Sequence, residues 1–289
     1  MPLPTFIVVG ELKAGTTSLY HYLKEHPQVF MPGLKEPRFF AFDPNNAEHR
    51  KKVPSVFPIT SFDDYIKLFE DARGALAIGE ASPNYIHNSS SAARIRHYLP
   101  LVKIIAIIRN PVDRLISEYT MNVRAGRERR PFRIFFEESV RENSWIIASS
   151  FPSKNWQRFL EVFPGEQLKA ILFDDFSSDT LNVVQSVYRF IGVDCGFTPE
   201  YQSAYNVGGI PSGRMRQVAF RIIKRHRMTL RKMFPEAFAA RARRYLRGNM
   251  QKIVIDEQDR CMLCDFYHDD IKNLENMLKR DLRHWLCYY

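Results

Sequence analysis

Four cysteines in 289 residues (Cys195, Cys261, Cys264 and Cys287) are too few for a disulfide scaffold, so reduced thiols are expected. No apolar run approaches the ~18–20 residues that a membrane span needs. The first such run, Phe6–Gly10, has no basic region ahead of it, so no signal peptide or targeting segment is expected. These absences together point to a cytoplasmic protein. The composition also excludes wholesale disorder, because 45% hydrophobic and 13% aromatic residues can build a sizeable core. Repeats, low-complexity tracts and clear linkers are missing too, so a single domain over residues 1–289 is expected.

What is plentiful is positive charge. The formal net charge is +10, and the segment 213–252 holds thirteen Lys/Arg against one acid, Glu236. That segment alone carries +12, leaving about −2 on the rest. Such a segment suits an anionic partner: a nucleotide, an acidic glycan, an anionic membrane or nucleic acid. Within it, residues 215–233 read as a helix that is both basic and apolar (Val218, Phe220, Ile222, Ile223, Leu230), and a solvated basic face on a core helix fits equally well. No aromatic-rich nucleic-acid motif accompanies the charge, so nucleic acid is not the expected partner. Cys261, Cys264 and His268 share one face of a predicted helix. That spacing can be drawn as a metal site, but core packing explains it as well.

Short β-branched runs alternate with helical patterns through the first two-thirds of the chain. Phe6–Gly10, residues 76–79, Lys103–Ile108 and residues 168–173 read as buried strands. Residues 16–26, 62–71, 90–98, Pro111–Ala125 and 155–163 read as helices, with Pro27 ending the first and Pro111 opening another. This alternation predicts an α/β fold: a central parallel sheet flanked by helices. From Asp175 onward no strand signal remains, so a helical C-terminal part is expected.

Two strand ends carry the chemistry. After Phe6–Gly10 comes Glu11-Leu12-Lys13-Ala14-Gly15-Thr16-Thr17-Ser18, a Gly-containing loop that opens a helix and turns backbone N–H groups toward an anion. Its glycines keep the Gly-x4-Gly spacing of a Walker A loop, but Thr16 stands where that loop has lysine, and the lysine sits earlier, at Lys13. An NTPase needs its lysine on the β- and γ-phosphates and a hydroxyl on Mg²⁺, so the shift implies a different phosphate geometry. The second strand, Lys103–Ile108, ends in Arg109-Asn110-Pro111-Val112-Asp113-Arg114. Arg109 is a fixed cation suited to bidentate phosphate binding, and Ser117 follows eight residues on in a predicted helix. A surface bridge from Arg109 to Asp113 is the bland alternative. Together the two strand ends fit a nucleotide with two separated anionic groups, held without an obvious metal ligand.

This arrangement resembles the sulfotransferases that use 3′-phosphoadenosine 5′-phosphosulfate. Val9–Ser18 looks like their 5′-phosphosulfate loop, and the stretch from Ile108 to Ser117 looks like their 3′-phosphate segment. Lys35-Glu36-Pro37-Arg38-Phe39-Phe40 resembles a stretch of the heparan-sulfate-type carbohydrate enzymes whose Glu is the catalytic base. Gly79-Glu80-Ala81-Ser82-Pro83-Asn84-Tyr85 is similar to their Glu-Lys-Thr-Pro-x-Tyr stretch, with Ala81 where those enzymes carry an active-site lysine. Residues 206–214, ending in Gly213 and Arg214, fall where the family has a late basic loop over the 3′-phosphate. The likeness spans about residues 5–216, with the basic helical part about 213–289 beyond it. Neither the membrane anchor nor the lumenal disulfide of the Golgi enzymes is evident, which implies a soluble bacterial member.

The resemblance implies in-line transfer of a sulfuryl group to an acceptor hydroxyl on a glycan, a glycolipid or another alcohol, with no metal required. Lys13 would stabilise the leaving phosphate oxygen, while Ala14, Gly15, Thr16, Thr17 and Ser18 would hold the 5′-phosphate. Arg109, Ser117, Gly213 and Arg214 would hold the 3′-phosphate. Glu36 is the implied base and His87 a second candidate, with Lys35, Arg38 and Ser82 facing the acceptor. The rival readings are a P-loop nucleotide kinase or NTPase, which requires magnesium, and a non-catalytic protein that binds polyanions or membranes through the 213–252 segment.

Overall fold

In the computed structural model, which describes residues 2–200, 209–211, 250–251 and 253–286, the expected α/β architecture is present. Five parallel strands form one sheet in the order β2-β3-β1-β4-β5. They are β1 (Phe6–Gly10), β2 (Val29–Phe30), β3 (Ala77–Ala81), β4 (Lys103–Ile108) and β5 (Leu168–Leu172). β1 and β3 are buried along their whole length and β4 nearly so, which is why their sequences run apolar without alternating. The register sets Phe6 beside Gly79 on one side and Lys103 on the other.

Helices link the strands: α1 (Thr16–Glu25), α2 (Ala47–Lys51), α3 (Phe62–Lys67), α4 (Ser91–Tyr98), α5 (Pro111–Ala125), α6 (Phe132–Arg141), α7 (Trp145–Ala148), α8 (Pro152–Leu160), α9 (Phe173–Ser178) and α10 (Thr180–Ile191). α1 packs Leu19, Tyr20, Tyr22 and Leu23 into a core that also takes Val184, Val187 and Tyr188 from α10. It stops at His26, extended at ψ 125, because Pro27 disfavours helical geometry in the residue before it.

After β1 the chain passes to β2 on one side, and after β3 it crosses to β4 on the other. The loops following β1 and β4 therefore flank the point where the winding reverses, which is where open parallel sheets bind ligands.

By its contacts the chain divides into two compact units: residues 1–110, 151–205 and 269–282, and residues 111–150, 206–268 and 283–289. The sheet belongs to the first. In the second, Arg133 of α6 pairs with the buried Asp259 at 2.7 Å, and Tyr267 Oη donates to Ser150 Oγ at 2.6 Å.

Two expectations need correction. Strand signals do not stop at Asp175, because β6 (Ile210–Pro211) pairs antiparallel with β7 (Met250–Gln251). Two residues per strand are too short to show a period, as is also true of β2, which had no sequence signal. The thiols are not all reduced: Cys195 and Cys261 are free, but Cys264 is disulfide-bonded. Cys264 is buried on α11 (Glu257–Leu278), its sulfur 3.8 Å from the Trp285 carbonyl, so the C-terminal turn lies against it. Cys264 is therefore unavailable as a thiolate partner for Cys261, and the drawn metal site fails. The basic helix at 215–233, with Gly213, Arg214 and Cys287, lies outside the described residues.

Candidate active site

The glycine loop that the sequence marks for a phosphate is built by the end of β1 and the start of α1. Gly15 is the N-cap of α1 at φ 85 and ψ 8, a left-handed conformation that glycine adopts without strain. It offers no side-chain cap, and α1 has no acid in its first turn. The amides and the positive dipole end at Thr16 and Thr17 are thus suited to an external anion. A Cβ at Gly15 would come within 3.0 Å of the Phe176 ring and 3.3 Å of the Phe173 ring, so the loop lies on an aromatic floor supplied by α9. Lys13 is also left-handed, at φ 70. Ala14 is buried and Thr16 nearly so, while Thr17 and Ser18 are partly exposed.

The tip of β4 is knitted to this loop. Arg109 Nη1 donates to the Lys13 carbonyl at 2.7 Å, and the guanidinium carbon lies 4.5 Å from the Phe173 ring centre. Glu11, fully buried, donates its amide to the Ile107 carbonyl at 2.7 Å and accepts the Arg109 amide on Oε2 at 3.2 Å. Lys13 and Arg109 are thereby brought together at the reversal point. Asp113, in the second unit, accepts from Arg260 at 2.9 Å. Ser117 lies on α5 in the second unit, partly exposed.

The Lys35–Arg38 turn forms a separate cluster. Lys35 Nζ pairs with Glu36 Oε1 at 2.8 Å, and Arg38 Nη2 pairs with Oε2. Burial is the largest influence on Glu36 and pushes its pKa up. The charges and hydrogen bonds of Lys35 and Arg38 together outweigh it and leave the carboxyl below its ordinary value. Glu36 is therefore a carboxylate at neutral pH, able to accept a proton.

Glu36 and Arg38 are left-handed at φ 62 and 57, and with Lys13 they make three of the five non-glycine residues with positive φ among those described. Each such residue costs about 1–3 kcal/mol, which the surroundings must offset. The offset comes from β3 and the turn after it: Glu36 N donates to the Ala81 carbonyl and Arg38 N to Ser82 Oγ, both at 3.2 Å.

His87 is held elsewhere. Its Nδ1 lies 3.2 Å from Asn155 Nδ2 and its carbonyl 3.4 Å from Arg158 Nη1, both on α8. The structure thus ties it to α8, whereas Glu36 is tied to Lys35 and Arg38.

Two features escaped the sequence reading. One is the aromatic floor of Phe173 and Phe176, which no local pattern announces. The other is Glu80, fully buried in β3, whose pKa burial drives up to about 7 against the hydrogen bonding of Ser82, Tyr85 and Tyr65. A lone acid in an otherwise apolar strand was the available signal, since unpaired acids are rarely buried.

A parallel sheet with a glycine loop after its central strand, an arginine at the adjoining strand tip and a carboxylate clamped by two cations is the setting of an α/β enzyme. The chain belongs to the sulfotransferase family, whose model matches residues 4–199.

Among characterised relatives, it is 31% identical over 197 residues to the membrane-associated sulfotransferase kil1 of Dictyostelium discoideum, covering 64% of this chain and 38% of that one. It is 29% identical over 218 residues to mouse heparan sulfate glucosamine 3-O-sulfotransferase 5, covering 71% of this chain and 56% of that one. The chain thus spans about half or less of these relatives' length. A crystal structure of a sulfotransferase from Alicyclobacillus acidocaldarius superposes with a TM-score of 0.74 at 29% identity, covering 99% of both chains. Among the described residues, no helix is long and apolar enough to cross a membrane, and no group of His, Cys, Asp and Glu could hold a metal.

Proposed function

We propose that the protein transfers the sulfuryl group of 3′-phosphoadenosine 5′-phosphosulfate to a hydroxyl of a glycan, a glycolipid or another alcohol. The observation that carries this reading is the joint between the two strand ends: an uncapped α1 amino end and Lys13 on one side, and Arg109 bonded to the Lys13 carbonyl on the other. The Gly15 cradle, closed by an aromatic floor and free of acidic side chains in the first helical turn, suits the 5′-phosphate.

In the reaction the acceptor oxygen bonds to sulfur as the sulfur–oxygen bond to the 5′-phosphate breaks. Lys13 meets the charge that grows on that phosphate oxygen, and Glu36 takes the acceptor proton. Ala14, Gly15, Thr16, Thr17 and Ser18 hold the 5′-phosphate, with Arg109, Ser117, Gly213 and Arg214 assigned to the 3′-phosphate. Lys35, Arg38 and Ser82 border the acceptor. His87 is the weaker candidate base because Asn155 and Arg158 hold it to α8.

The relative named for 3-O-transfer to heparan sulfate glucosamine favours a sugar hydroxyl. The basic segment 213–252 suits an acidic glycan or an anionic membrane surface, in keeping with the relative named as membrane-associated. The disulfide at Cys264 favours an oxidising compartment over the cytoplasmic setting expected from sequence.

The test is calorimetric titration of adenosine 3′,5′-bisphosphate in chelator, beside ATP with Mg²⁺. Metal-free micromolar binding is expected, weakened about 30–150-fold in Arg109→Ala through loss of a charge-assisted contact of ~2–3 kcal/mol. Arg109→Lys, which keeps the charge without the fork, should fall between. Tighter binding of ATP with Mg²⁺ would move the assignment to a kinase.

A further inference from the structure

The turn that carries Glu36 runs on into a single 3₁₀ turn, Phe39–Ala41, with Arg38 as its N-cap at φ 57 and ψ 18. Alternate amides of this segment face β3 and the turn after it. Glu36 N donates to the Ala81 carbonyl, Arg38 N to Ser82 Oγ, and Phe40 N to Tyr85 Oη at 3.5 Å. The carbonyls are held from the other direction. The last bond inside the 3₁₀ turn, from Phe42 N to the Phe39 carbonyl at 3.2 Å, leaves the next three carbonyls to find donors elsewhere. Phe40, Ala41 and Phe42 are buried, so water is a poor substitute.

α4 and the loop before it supply all three donors. Ser91 Oγ donates to the Phe40 carbonyl at 3.2 Å, and Asn88 Nδ2 to the Ala41 carbonyl at 3.4 Å. Arg94 Nη1 reaches the Phe40 carbonyl at 3.4 Å and also donates to the Phe42 carbonyl. Its guanidinium carbon lies 5.2 Å from the centre of the Phe39 ring.

We propose that Arg94 is a positioning residue for Glu36: it pins the carbonyl side of the 36–42 segment, so that the left-handed turn presents its carboxylate in one place. This rests on the reading of Glu36 as the base. Glu36 and Arg38 stand at φ 62 and 57, and such backbone relaxes unless contacts on both sides fix it. Without the carbonyl bonds the Phe39 and Phe40 rings would still pack against Tyr65, but ring packing does not set the rotation of the peptide planes that lead back to Glu36. Arginine suits the task. Its guanidinium stays protonated, offers two protons from one nitrogen to two carbonyls, and lays its face on a ring, whereas lysine keeps the charge without the plane.

Arg96, two positions on in α4, is a matched control. It donates to the Pro100 carbonyl and to Gln167 Oε1 at 3.0 Å, and lies 5.9 Å from the centre of the Phe163 ring; none of these partners belongs to the 36–42 segment.

The experiment compares wild type, Arg94→Met, Arg94→Lys and Arg96→Met by amide hydrogen exchange, by sulfuryl transfer to heparan sulfate chains and by bisphosphate affinity. Arg94→Met should exchange about tenfold to a hundredfold faster over residues 35–42, as loss of a charge-assisted bond implies, with the β1 and α1 amides unchanged. Its kcat should fall about tenfold or more, with adenosine 3′,5′-bisphosphate binding within about twofold of wild type, the pattern of lost positioning rather than lost donor binding. Arg94→Lys should fall between, and it carries the same comparison if Arg94→Met does not fold. Arg96→Met should match wild type in kcat and in exchange over 35–42, even where urea shows it to be equally destabilised.

Unchanged exchange over 35–42 in the Arg94 variants, or an equal loss of kcat in Arg96→Met, overturns the proposal. So does faster exchange with undiminished kcat while Glu36→Gln is inactive. The exchange measurement needs no acceptor, so it decides the hold of Arg94 on the turn by itself. Failure of the base reading has a different mark, a Glu36→Gln protein that keeps the wild-type kcat.

Discussion

Gly15 can be tested against two other glycines that separate backbone strain from steric contact. Gly15 and Gly74 have nearly the same left-handed φ, 85 and 86, but a Cβ at Gly74 would meet nothing within 4 Å. Gly33 has open space as well, without a positive φ. Gly33→Ala should therefore change stability by less than ~0.5 kcal/mol, as surface substitutions do. Gly74→Ala should cost ~1–2 kcal/mol from the left-handed backbone alone. Gly15→Ala carries that same strain and also presses 3.0 Å onto the Phe176 ring, which is 4% exposed and fixed in the core. Overpacking of this kind adds ~1–3 kcal/mol, for a total of about 2–5 kcal/mol. Urea denaturation of the three variants under one buffer provides the comparison through their midpoints. Because Gly15 also sets the direction of the first α1 amides, its variant should bind adenosine 3′,5′-bisphosphate about tenfold more weakly or worse, while Gly74→Ala binds as wild type does. A Gly15→Ala protein no less stable than Gly74→Ala would show that α9 yields, and the rigid-floor argument would be wrong.

Arg38→Ala should move the acid limb of the pH profile of kcat/KM to higher pH, because burial of Glu36 would then be opposed by Lys35 alone; an unmoved limb would remove Glu36 as the titrating base. Glu128, nearly buried in the second unit, accepts the Arg129 and Arg130 amides and the Arg130 guanidinium, chiefly the last, which lowers its pKa to about 2. Its contribution is present above about pH 4.5 and is lost as pH falls through about 2, so Glu128→Gln should cost stability at neutral pH and little near pH 2. Arg130 is 45% exposed, so solvent screening holds the neutral-pH cost to ~1–2 kcal/mol, which denaturation at the two pH values would measure.

How much of this was legible in the sequence depended on whether a signal was local. β1, β4 and α5 fall on the residues where apolar runs and Pro111 put them, because a fully buried strand and a proline-opened helix carry their own boundaries. β2, β6 and β7 exist through pairing of two residues each, and no period can announce that. Arg109 and Asp113 show the same limit in side chains. Four residues apart at a helix start, they read as a bridge, yet the first turns back to the Lys13 carbonyl and the second pairs with Arg260, 147 positions away. Lys13 and Arg109 could be singled out because each closes a strand that can be read locally. Glu36 had no such frame: it came from a family resemblance, and its clamp by Lys35 and Arg38 needed the fold. The tension between burial and neighbouring cations was visible in Lys35-Glu36-Pro37-Arg38, but its outcome was not, since it depends on distances the chain alone does not set.

The two halves of the candidate site face different physical demands, and their construction reflects this. In the proposed reaction a highly charged donor calls for fixed groups that need no rearrangement, and the end of the sheet offers them: amides of α1, a lysine inside the loop and an arginine bonded to the Lys13 carbonyl at the next strand tip. Taking a proton calls for a group poised between two states, and a carboxylate pinned by two cations on a turn at left-handed φ is poised in that way. Its charge is secured by Lys35 and Arg38, and in the proposed reaction both bonds occupy the oxygens that receive the acceptor proton, so one of them has to loosen first. A turn built on unstrained backbone would have no tendency to give. This one is held by three amide hydrogen bonds to Ala81, Ser82 and Tyr85, and its freedom to move is set by whatever holds those acceptors still.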